Sequence, residues 1–478
     1  MTDAVVVGAG PNGLAAAITL ARQGCSVTVL EAAASPGGGA RTSELTVPGL
    51  RHDDCSAAHP TALASPFLRS LGLERHGLRW CWPEVELAHP LDSGTAGVLY
   101  RSVGDTAAGL GSDGRAWRRV FEPLTEHYDE LVAELFRPVL HLPRHLGPLL
   151  RFGLGAPLPA TVLARRWRTP EARALFGGVA AHAFHPLRRP LTSAIGLMLT
   201  AAGHAYGWPV AEAGSQAITD AMVAELTGLG GTVKTGVLVR DFREVADADL
   251  VMLDLAPGAA AELLAGRQPR AAARAYRRYR HGPGAFKVDL AVRGGIPWTN
   301  EACRRAGTVH LGGPLEEMAD SERDIWAGRM PERPFVLVGQ QYLADPTRSV
   351  GDLHPVWAYA HVPAGYPGDA TDAVLDQIER FAPGVSDRIE DRHARSTAAL
   401  AAYNPNYVGG DIATGANDPL QVALRPRVAL DPYATGVPGV YLCSAATPPG
   451  AGVHGMCGLN AARSALRSAR RPPRAGAR

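Results

Sequence analysis

The chain opens with a change from strand-like to helix-like hydrophobic spacing. An apolar run at 4–7 leads into a glycine-rich turn, and small apolar residues then follow helical spacing to about Gln23. A second apolar run at 26–30 ends at Glu31. Short apolar runs bounded by turn residues are typical of strands buried on both faces. The pattern therefore predicts a βαβ unit at this end of the chain.

The same order of strand, glycine-rich turn and helix returns at the other end. An apolar run at 439–443 is followed by glycines between 448 and 458, and then by helical spacing over 459–466. The middle of the chain contributes more elements of this kind. These are a helix over 215–226 with Ser215 as its N-cap, a strand at 232–235 continuing towards 237–239, and a buried strand at 248–254.

Two stretches, 96–206 and 265–424, follow a different pattern. The first is mostly helical, with helices expected at 120–136, 143–167 and 170–183. Its run 191–211 contains no Asp, Glu, Lys or Arg and is long enough to span a bilayer, but its glycines and proline favour a buried helix above a cavity. Strand-like runs at 285–292 and 334–340 predict a mixed sheet below that cavity.

The turn after the first strand has the glycine spacing of a dinucleotide-binding fingerprint. Gly8 permits the tight turn, Gly10 lets the backbone approach a diphosphate, and Gly13 lets the helix pack against the strand. The helix start, with Pro11 and Asn12, directs the positive end of its dipole at that anion. An adenine dinucleotide is therefore expected here.

A second glycine loop indicates which dinucleotide binds. Glu31 is placed to accept hydrogen bonds from ribose hydroxyls, and its charge would repel a 2′-phosphate. Gly37 and Gly38 follow, and a plain NAD-binding fold does not need them, whereas an extended FAD runs past a second backbone segment. Arg41 would neutralise the diphosphate or hold this loop, or else lie solvated at the surface. The C-terminal glycine turn opens a helix and forms a second anion site. One long FAD between the two ends is predicted.

In these features the chain resembles the phytoene-dehydrogenase-related FAD oxidoreductases of the carotenoid desaturase and amine oxidase superfamily, and within it the branch that includes pyridine nucleotide-disulfide oxidoreductase domain-containing protein 2. The motifs occur in order along nearly the whole chain, at 4–14, 36–38, 207–210, 214–216, 230–236, 283–289, 404–411 and 448–458. Only 240–247 stand where relatives have a longer hairpin.

The resemblance implies an α/β fold in which a glutathione-reductase-type FAD-binding Rossmann domain is interleaved with an α+β substrate domain. The substrate domain would have a mixed sheet plus a helical cap. The FAD-binding domain would comprise 1–95, 207–264 and 425–478. The substrate domain would comprise 96–206 and 265–424.

The resemblance also implies contacts with FAD at widely separated positions. Val239 would meet the adenine through its backbone. Ser444, or backbone beside it, would bind the ribityl chain where relatives carry an aspartate. The C-terminal turn supplies the residues expected along the flavin, namely Gly452, Val453, His454, Gly455 and Met456.

Three side chains are candidates for catalysis. Amine oxidases of the superfamily carry a lysine that holds a water against flavin N5, and Lys287 stands on the matching strand. A lysine in an apolar cavity has a lowered pKa, suited to proton relay, but an exposed position or a salt bridge to Asp289 is an equal alternative. His454 would contact the flavin ring or stabilise the turn. Tyr403 would line the substrate face.

Composition excludes several other classes of protein. The six cysteines, Cys25, Cys55, Cys81, Cys303, Cys443 and Cys457, form no CxxC or CxxxxC pair, so a disulfide reductase is excluded. No cluster has zinc-ligand spacing, and no metal is expected. A net charge of +2 gives no footprint for nucleic acid. Free thiols and the absence of room for a leader predict a cytoplasmic protein. A covalent bond from Cys443 or Cys457 to the flavin is an alternative to a role as small core or turn residues. The sequence does not decide whether the protein forms an oligomer.

The segment 144–168 interleaves arginines with leucines. Arg144, His145, Arg151, Arg165, Arg166 and Arg168 are its cationic and histidine positions. Such a pattern can rest on an anionic membrane surface, and a solvated lid is the alternative.

The expected function is an FAD-dependent dehydrogenase or desaturase that removes two hydrogens from an apolar or polycyclic substrate by hydride transfer to flavin N5. Its partners would be that small molecule and an electron acceptor, which is oxygen, a quinone or another redox protein. The alternatives are an amine oxidase that forms an imine and hydrogen peroxide, and a flavin-binding protein without turnover. A carboxylate with an aromatic cage in the cavity would favour an amine, whereas an apolar tunnel would favour a hydrocarbon.

Overall fold

The computed structural model describes residues 2–138 and 141–469. The end of the predicted C-terminal segment, 470–478, lies outside the described residues. The strands are β1 Asp3–Val7, β2 Ser26–Leu30, β3 Thr42–Ser43, β4 His52–Asp53, β5 Trp80–Cys81, β6 Val85–Pro90, β7 Ala96–Leu99, β8 Val210–Ala211, β9 Thr232–Lys234, β10 Leu250–Leu253, β11 Gly284–Arg293, β12 Ala306–Leu311, β13 Val336–Gly339, β14 Leu353–Val362, β15 Ile389–Arg395 and β16 Val440–Leu442.

The α-helices are α1 Pro11–Ala21, α2 Pro60–Ala64, α3 Pro66–Leu71, α4 Val103–Gly109, α5 Gly114–Glu126, α6 Tyr128–Leu135, α7 Leu146–Gly153, α8 Ala160–Leu163, α9 Pro170–Ala181, α10 Thr192–Tyr206, α11 Gln216–Gly228, α12 Pro257–Leu263, α13 Arg270–Arg277, α14 Glu301–Arg305, α15 Leu315–Trp326, α16 Thr371–Phe381, α17 Thr397–Tyr403, α18 Pro419–Leu424 and α19 Met456–Ala469. Together with the strands they give an α/β fold with two main sheets.

The smaller main sheet is parallel and has the strand order β16-β10-β1-β2-β9. Its strands come from the start, the centre and the end of the chain, as the interleaved pattern predicted. Helix α1 is buried along nearly its whole length and packs against α19. A Cβ at Gly458 would lie 1.9 Å from the carbonyl oxygen of Asn12, so the two helices touch through bare backbone. The first and last helices therefore form one layer.

The larger sheet is mixed and has the order β15-β11-β14-β13-β12-β6-β7. Its longest pairing is antiparallel, between β11 and β14, with Gly284 opposite Val362 and Arg293 opposite Leu353. Strand β6 also belongs to this sheet, because it pairs in parallel with β12. The predicted domain boundary after residue 95 therefore cuts through the larger sheet. The boundary is corrected to a position before Val85. Strand β6 is assigned to the substrate domain because it pairs with strands of the larger sheet, although it precedes residue 95 in the sequence.

The predicted helical region is made of shorter helices than the hydrophobic spacing suggested. The helix expected at 120–136 is interrupted at His127, between α5 and α6. The helix expected at 143–167 is divided into α7 and α8, because glycines and prolines occupy 153–159. The helices expected at 170–183 and within 191–211 are present as α9 and α10.

Two local predictions in the central segment are met only in part. Ser215 occupies the N-cap position of α11, as predicted, but its side chain makes no capping hydrogen bond, because its hydroxyl donates to the carbonyl oxygen of Ser56 and bonds the ring of His59. The strand expected to continue towards 237–239 ends at Lys234, although the N–H of Val237 still bonds the carbonyl oxygen of Glu31. In the described residues, the longest apolar helices are too short to cross a bilayer, and His, Cys, Asp and Glu form no metal-binding group.

Candidate functional site

A cavity of about 1260 Å³ lies between the two main sheets. Its wall includes Gly8 and Gly10 after β1, Gly38 in the second glycine loop, and Gly452 in the C-terminal loop. The glycine loops at opposite ends of the chain therefore face one shared space. Such a volume exceeds that of most small-ligand pockets and suits a large cofactor together with a substrate.

The first two glycine loops meet inside this cavity. Gly8 has a φ of +102°, which residues with a side chain rarely adopt. This conformation turns the backbone from β1 into α1. A Cβ on Gly38 would lie 3.1 Å from the Cα of Gly10, so neither loop has room for a side chain. The two backbones form a narrow cradle without side chains. Gly37, beside it, packs against Arg41 and Gln216 and does not line the cavity.

Glu31 and Arg41 hold these loops in place. Glu31 accepts hydrogen bonds from the N–H of Ala9 at 2.7 Å and of Ala33 at 2.9 Å. Arg41 donates to Glu31 at 3.3 Å and to the carbonyl oxygen of Ser35 at 3.1 Å. Both side chains are buried and line the cavity, so Arg41 is not the solvated surface residue that the sequence left open. The predicted ribose contact of Glu31 stays a prediction.

Asp254 is a buried acid at this site that sequence reasoning did not single out. It follows β10, and its carboxylate accepts the N–H of Gly13 at 3.0 Å. A Cβ at Gly10 would lie 2.7 Å from the same carboxylate oxygen. Burial, and to a smaller extent the charge of Glu31, raise the pKa of Asp254 to about 7. Its position after a buried parallel strand was the available signal, because such strand ends form ligand sites.

The C-terminal loop reaches the same cavity through Gly452, Val453 and His454. His454 Nδ1 accepts the N–H of Met456, the first residue of α19, at 3.0 Å. Burial lowers the pKa of His454 to about 4, so its ring is neutral at physiological pH. The ring lies 4.9 Å from that of Phe136. His454 thus stabilises the turn and also lines the cavity.

The other expected cofactor residues fall into two groups. Val239, Ser444, Pro11 and Asn12 line the cavity, and the Ser444 hydroxyl donates to the carbonyl oxygen of Leu255. The residues that do not line the cavity, although each is within a few residues of one that does, are Gly13, Gly37, Gly455 and Met456. The structure thus brings both groups to one region of the molecule.

Several observations test whether this region fits an extended dinucleotide such as FAD. Asn12 lines the cavity, and its buried side-chain oxygen has no hydrogen-bond partner in the described residues. Gly10 and Gly38 approach too closely for a Cβ, so this part of the wall is backbone without side chains. Val239 and Gly452 line the same cavity. The residues present fit the group, with room for a diphosphate on bare backbone.

Tyr403, at the end of α17, lines the cavity and is held at both ends. Its hydroxyl donates to the carbonyl oxygen of Gly38 at 2.7 Å. The guanidinium groups of Arg41 and Arg395 lie 5.3 Å and 4.7 Å from the centre of its ring. Burial raises the pKa of Tyr403 above its ordinary value, so the phenol stays protonated. This arrangement supports the second glycine loop.

Lys287 is buried on β11 but does not line the cavity. Its ammonium group pairs with Asp289, two residues along the same strand. Burial alone would raise the pKa of Asp289, but Lys287, His393 and His52 hold it well below its ordinary value. The salt bridge that the sequence left open is therefore present. The proposed role of this ammonium at flavin N5 stays a prediction.

The part of the cavity away from the Rossmann sheet is a chamber with apolar walls. Helix α10 closes one side, and β13 and β14 close another. The apolar side chains of this chamber are Phe152, Phe184, Ile195, Met198, Leu199, Trp208, Leu337, Trp357 and Tyr359. The indole N–H groups of Trp208 and Trp357 have no partner in the described residues.

The cysteines are distributed unevenly around this site. Cys55 lines the cavity, whereas Cys443 and Cys457 do not. The thiol of Cys457 lies near the carbonyl oxygens of Thr447 and Gly450. The alternative of a covalent flavin on Cys443 or Cys457 is therefore not supported by their positions.

Comparisons with known proteins agree with this geometry. Residues 6–71 match the family model of the NAD(P)-binding Rossmann-like domain. Pyridine nucleotide-disulfide oxidoreductase domain-containing protein 2 of Mus musculus is 25% identical over 561 aligned residues, which cover 97% of this chain and 93% of that protein. Hydroxyneurosporene desaturase of Cereibacter sphaeroides is 68% identical over 38 residues, or 8% of each chain.

The fold is also that of a solved oxidase. The structure of putrescine oxidase bound to putrescine superposes with a TM-score of 0.61 at 18% identity, over 98% of this chain and 99% of that one. At this identity the likeness establishes the fold, and the residues of the site must be argued from their own geometry.

Proposed function

Because the chain belongs to the phytoene dehydrogenase and amine oxidase superfamily of FAD-dependent oxidoreductases, we propose that it is a dehydrogenase or desaturase. It removes two hydrogens from an apolar organic small molecule. When bound, FAD supplies the two-electron chemistry by accepting a hydride equivalent from a C–H bond. The residues of the chain bind and orient the substrate and exclude water from it.

The observation that carries this proposal is the charge distribution in the cavity. Its carboxylates in the described residues are Glu31, Asp254 and Glu262, and all three lie on the Rossmann side, after β2, after β10 and on α12. The charged side chains elsewhere in the wall are Arg137 and Arg425. A protonated amine would meet cations and no counter-ion in the chamber, which disfavours an amine substrate.

The chamber is suited to hold an apolar body away from water. Met198 and Ile195 on α10 face the same space as Leu337 and Trp357 on the larger sheet. Burial of apolar surface on such walls contributes about 25 cal/mol for each Å² removed from water. His182, also in the wall, is neutral because burial lowers its pKa to about 4. The chamber therefore holds the apolar body of its ligand by shape and apolar contact.

The surface beside this chamber offers a route from a membrane. Leu146, Leu150 and Leu154 follow one another at intervals of four residues on and just after α7, and their exposures are 58%, 67% and 76%. Phe152 of the same helix lines the cavity. Exposed Arg144 and Arg151 flank the leucines. An apolar stripe with flanking cations suits an anionic lipid surface, from which an apolar substrate would enter.

The test is a substrate screen on the purified protein with its bound flavin. Absence of oxygen allows reduction to be followed as loss of the visible flavin absorbance. We expect apolar or polycyclic organic molecules to reduce the flavin, and the product to carry one more C=C bond by mass spectrometry. Reduction by primary or secondary amines alone, with peroxide formed in air, would favour the amine oxidase. A protein that takes up no FAD would contradict the whole proposal.

A further inference from the structure

Arg425 is a buried arginine in the wall of the cavity. It directly follows α18, and 3% of its surface is exposed. No Asp or Glu in the described parts of the chain forms an ion pair with it. An unpaired charge removed from water costs several kcal/mol, so buried arginines are nearly always paired. The cavity therefore has a cation whose partner is not supplied by the described residues.

Its hydrogen bonds are equally incomplete. The Nη2 group donates to the side-chain oxygen of Asn417 at 2.8 Å. The amide nitrogen of Asn417 donates in turn to the carbonyl oxygen of Ala183 at 3.0 Å, which fixes the orientation of the amide. The buried Nε group has no acceptor in the described residues. The guanidinium is thus held at one corner and still has a donor to satisfy.

The backbone opposite leaves room for this side chain. Gly450 belongs to the C-terminal loop and has a φ of +120°. A Cβ at that position would lie 2.8 Å from the Nη1 atom of Arg425. The guanidinium therefore occupies space that a side chain would need. Its place beside this loop puts the charge next to the C-terminal loop, which itself lines the cavity.

A second donor without a partner lies on the loop that carries Asn417. Thr414 lines the cavity, and its buried hydroxyl has no hydrogen-bond partner in the described residues. Its φ of +55° is unusual for a β-branched residue and costs about 1–3 kcal/mol. The surroundings of both donors are apolar, with Phe184 and Ile412 in the same wall. A charged residue and a hydroxyl residue therefore line a mostly apolar chamber.

We propose that Arg425, steadied by Asn417, binds a carboxylate group of the substrate. The substrate is then an amphipathic organic carboxylate, whose apolar body fills the chamber between α10 and the larger sheet. A guanidinium matches a carboxylate because both are planar and can share two hydrogen bonds. This inference rests on the proposed function and narrows its substrate class. This inference also explains why Arg425 lies in a chamber that has no Asp or Glu in its described wall.

The test uses the flavin-loaded protein and pairs of alkyl and aryl carboxylates with their methyl esters, including dodecanoate and methyl dodecanoate. Binding is read from the shift of the visible flavin spectrum, without turnover. We expect the carboxylate of at least one pair to bind roughly tenfold to a hundredfold more tightly than its ester. A preference absent from every pair overturns the proposal, whatever the variants do.

The variants locate the preference. Arg425→Gln is expected to abolish it while changing the affinity for the ester less than about twofold. Arg425→Lys is expected to restore part of it, because it keeps the charge. Arg427→Gln is the matched control, since Arg427 is half-buried nearby and does not line the cavity. If Arg425→Gln still binds the carboxylate more tightly than its ester, the assignment to Arg425 is overturned. It is also overturned if Arg427→Gln loses this preference to the same extent.

A further measurement separates the substrate from the flavin as the partner of Arg425. Sulfite adds to oxidised flavin, and the adduct is favoured by positive charge beside the ring. Its affinity is expected to be the same in the wild type and in Arg425→Gln. A large loss would assign the charge to the flavin and overturn the proposal. Because binding is read without turnover, a retained carboxylate preference with no reducing substrate would contradict only the proposed function.

Discussion

The hydroxyl of Tyr403 donates a 2.7 Å hydrogen bond to the carbonyl oxygen of Gly38, which joins α17 of the substrate side to the second glycine loop. Arg41 and Arg395 pack on the ring of the same tyrosine. This phenol is therefore one of the contacts that connect the substrate side to the cofactor side. The contact makes Tyr403 a residue that positions the loop.

Tyr403→Phe removes this hydrogen bond and retains the ring. We expect FAD affinity to fall roughly threefold to tenfold, the usual effect of one lost hydrogen bond. FAD affinity is measured by titration of the apoprotein with flavin fluorescence. The rate of flavin reduction at saturating cofactor should change little. A large fall in that rate at full flavin occupancy would instead support the catalytic role predicted for Tyr403.

Asp254 makes stability depend on pH. Its folded pKa of about 7 lies above the ordinary value of 3.8, so the unfolded chain loses this proton first as pH rises. The contribution of protonated Asp254 to the free energy of unfolding is fully present below about pH 4. It decreases between about pH 4 and pH 7 and is lost above about pH 7. Asp254→Asn should therefore stabilise the apoprotein at pH 8, by up to roughly 4 kcal/mol. Urea unfolding across pH 4–8 measures the difference, and an equal effect at both ends would contradict it.

Lys287→Met leaves Asp289 buried with a missing partner. We expect a loss of about 3–5 kcal/mol in unfolding free energy, part of which should return in Lys287→Met with Asp289→Asn. Lys234→Met is the control, because Lys234 is exposed on β9. The folded variant also tests the predicted role at the flavin. Reoxidation by oxygen at the wild-type rate would remove that role.

The exposed leucines of α7 should govern contact with membranes. Leu146→Asn with Leu150→Asn is expected to lower binding to vesicles of anionic phospholipid at least roughly tenfold, measured by co-sedimentation. Leu420→Asn with Leu430→Asn replaces two exposed leucines elsewhere and should have no effect. Equal losses in both variants, or no binding by the wild type, would contradict the proposed membrane contact.

The Rossmann part of the site could be predicted from the sequence because its signals are local. Gly8, Gly10 and Gly13 act within one turn, and Glu31 follows the next strand. The C-terminal loop was predicted for the same reason. The two ends of the chain are brought together by pairing between strands that are far apart in the sequence. The sequence itself does not predict this pairing, and the resemblance to a known family was the basis for expecting it.

The remaining residues of the site have no local signal. Arg425 precedes a proline in an irregular segment, and nothing around it indicates a cavity. Asp254 reaches Gly13 across 241 residues of sequence. Ser215 had the right type and place for a cap, but His59 and Ser56 compete for its hydroxyl. Tertiary contacts of this kind override local preference.

The backbone contact between Asn12 and Gly458 has a consequence for biosynthesis. The last helix can dock on the first only after about 450 residues have been translated, so the nucleotide cleft is open while the chain is still on the ribosome. Cofactor capture is then expected to follow the synthesis of this helix. Messages truncated before the final helix yield polypeptides that cannot close around the nucleotide, however well their earlier segments fold.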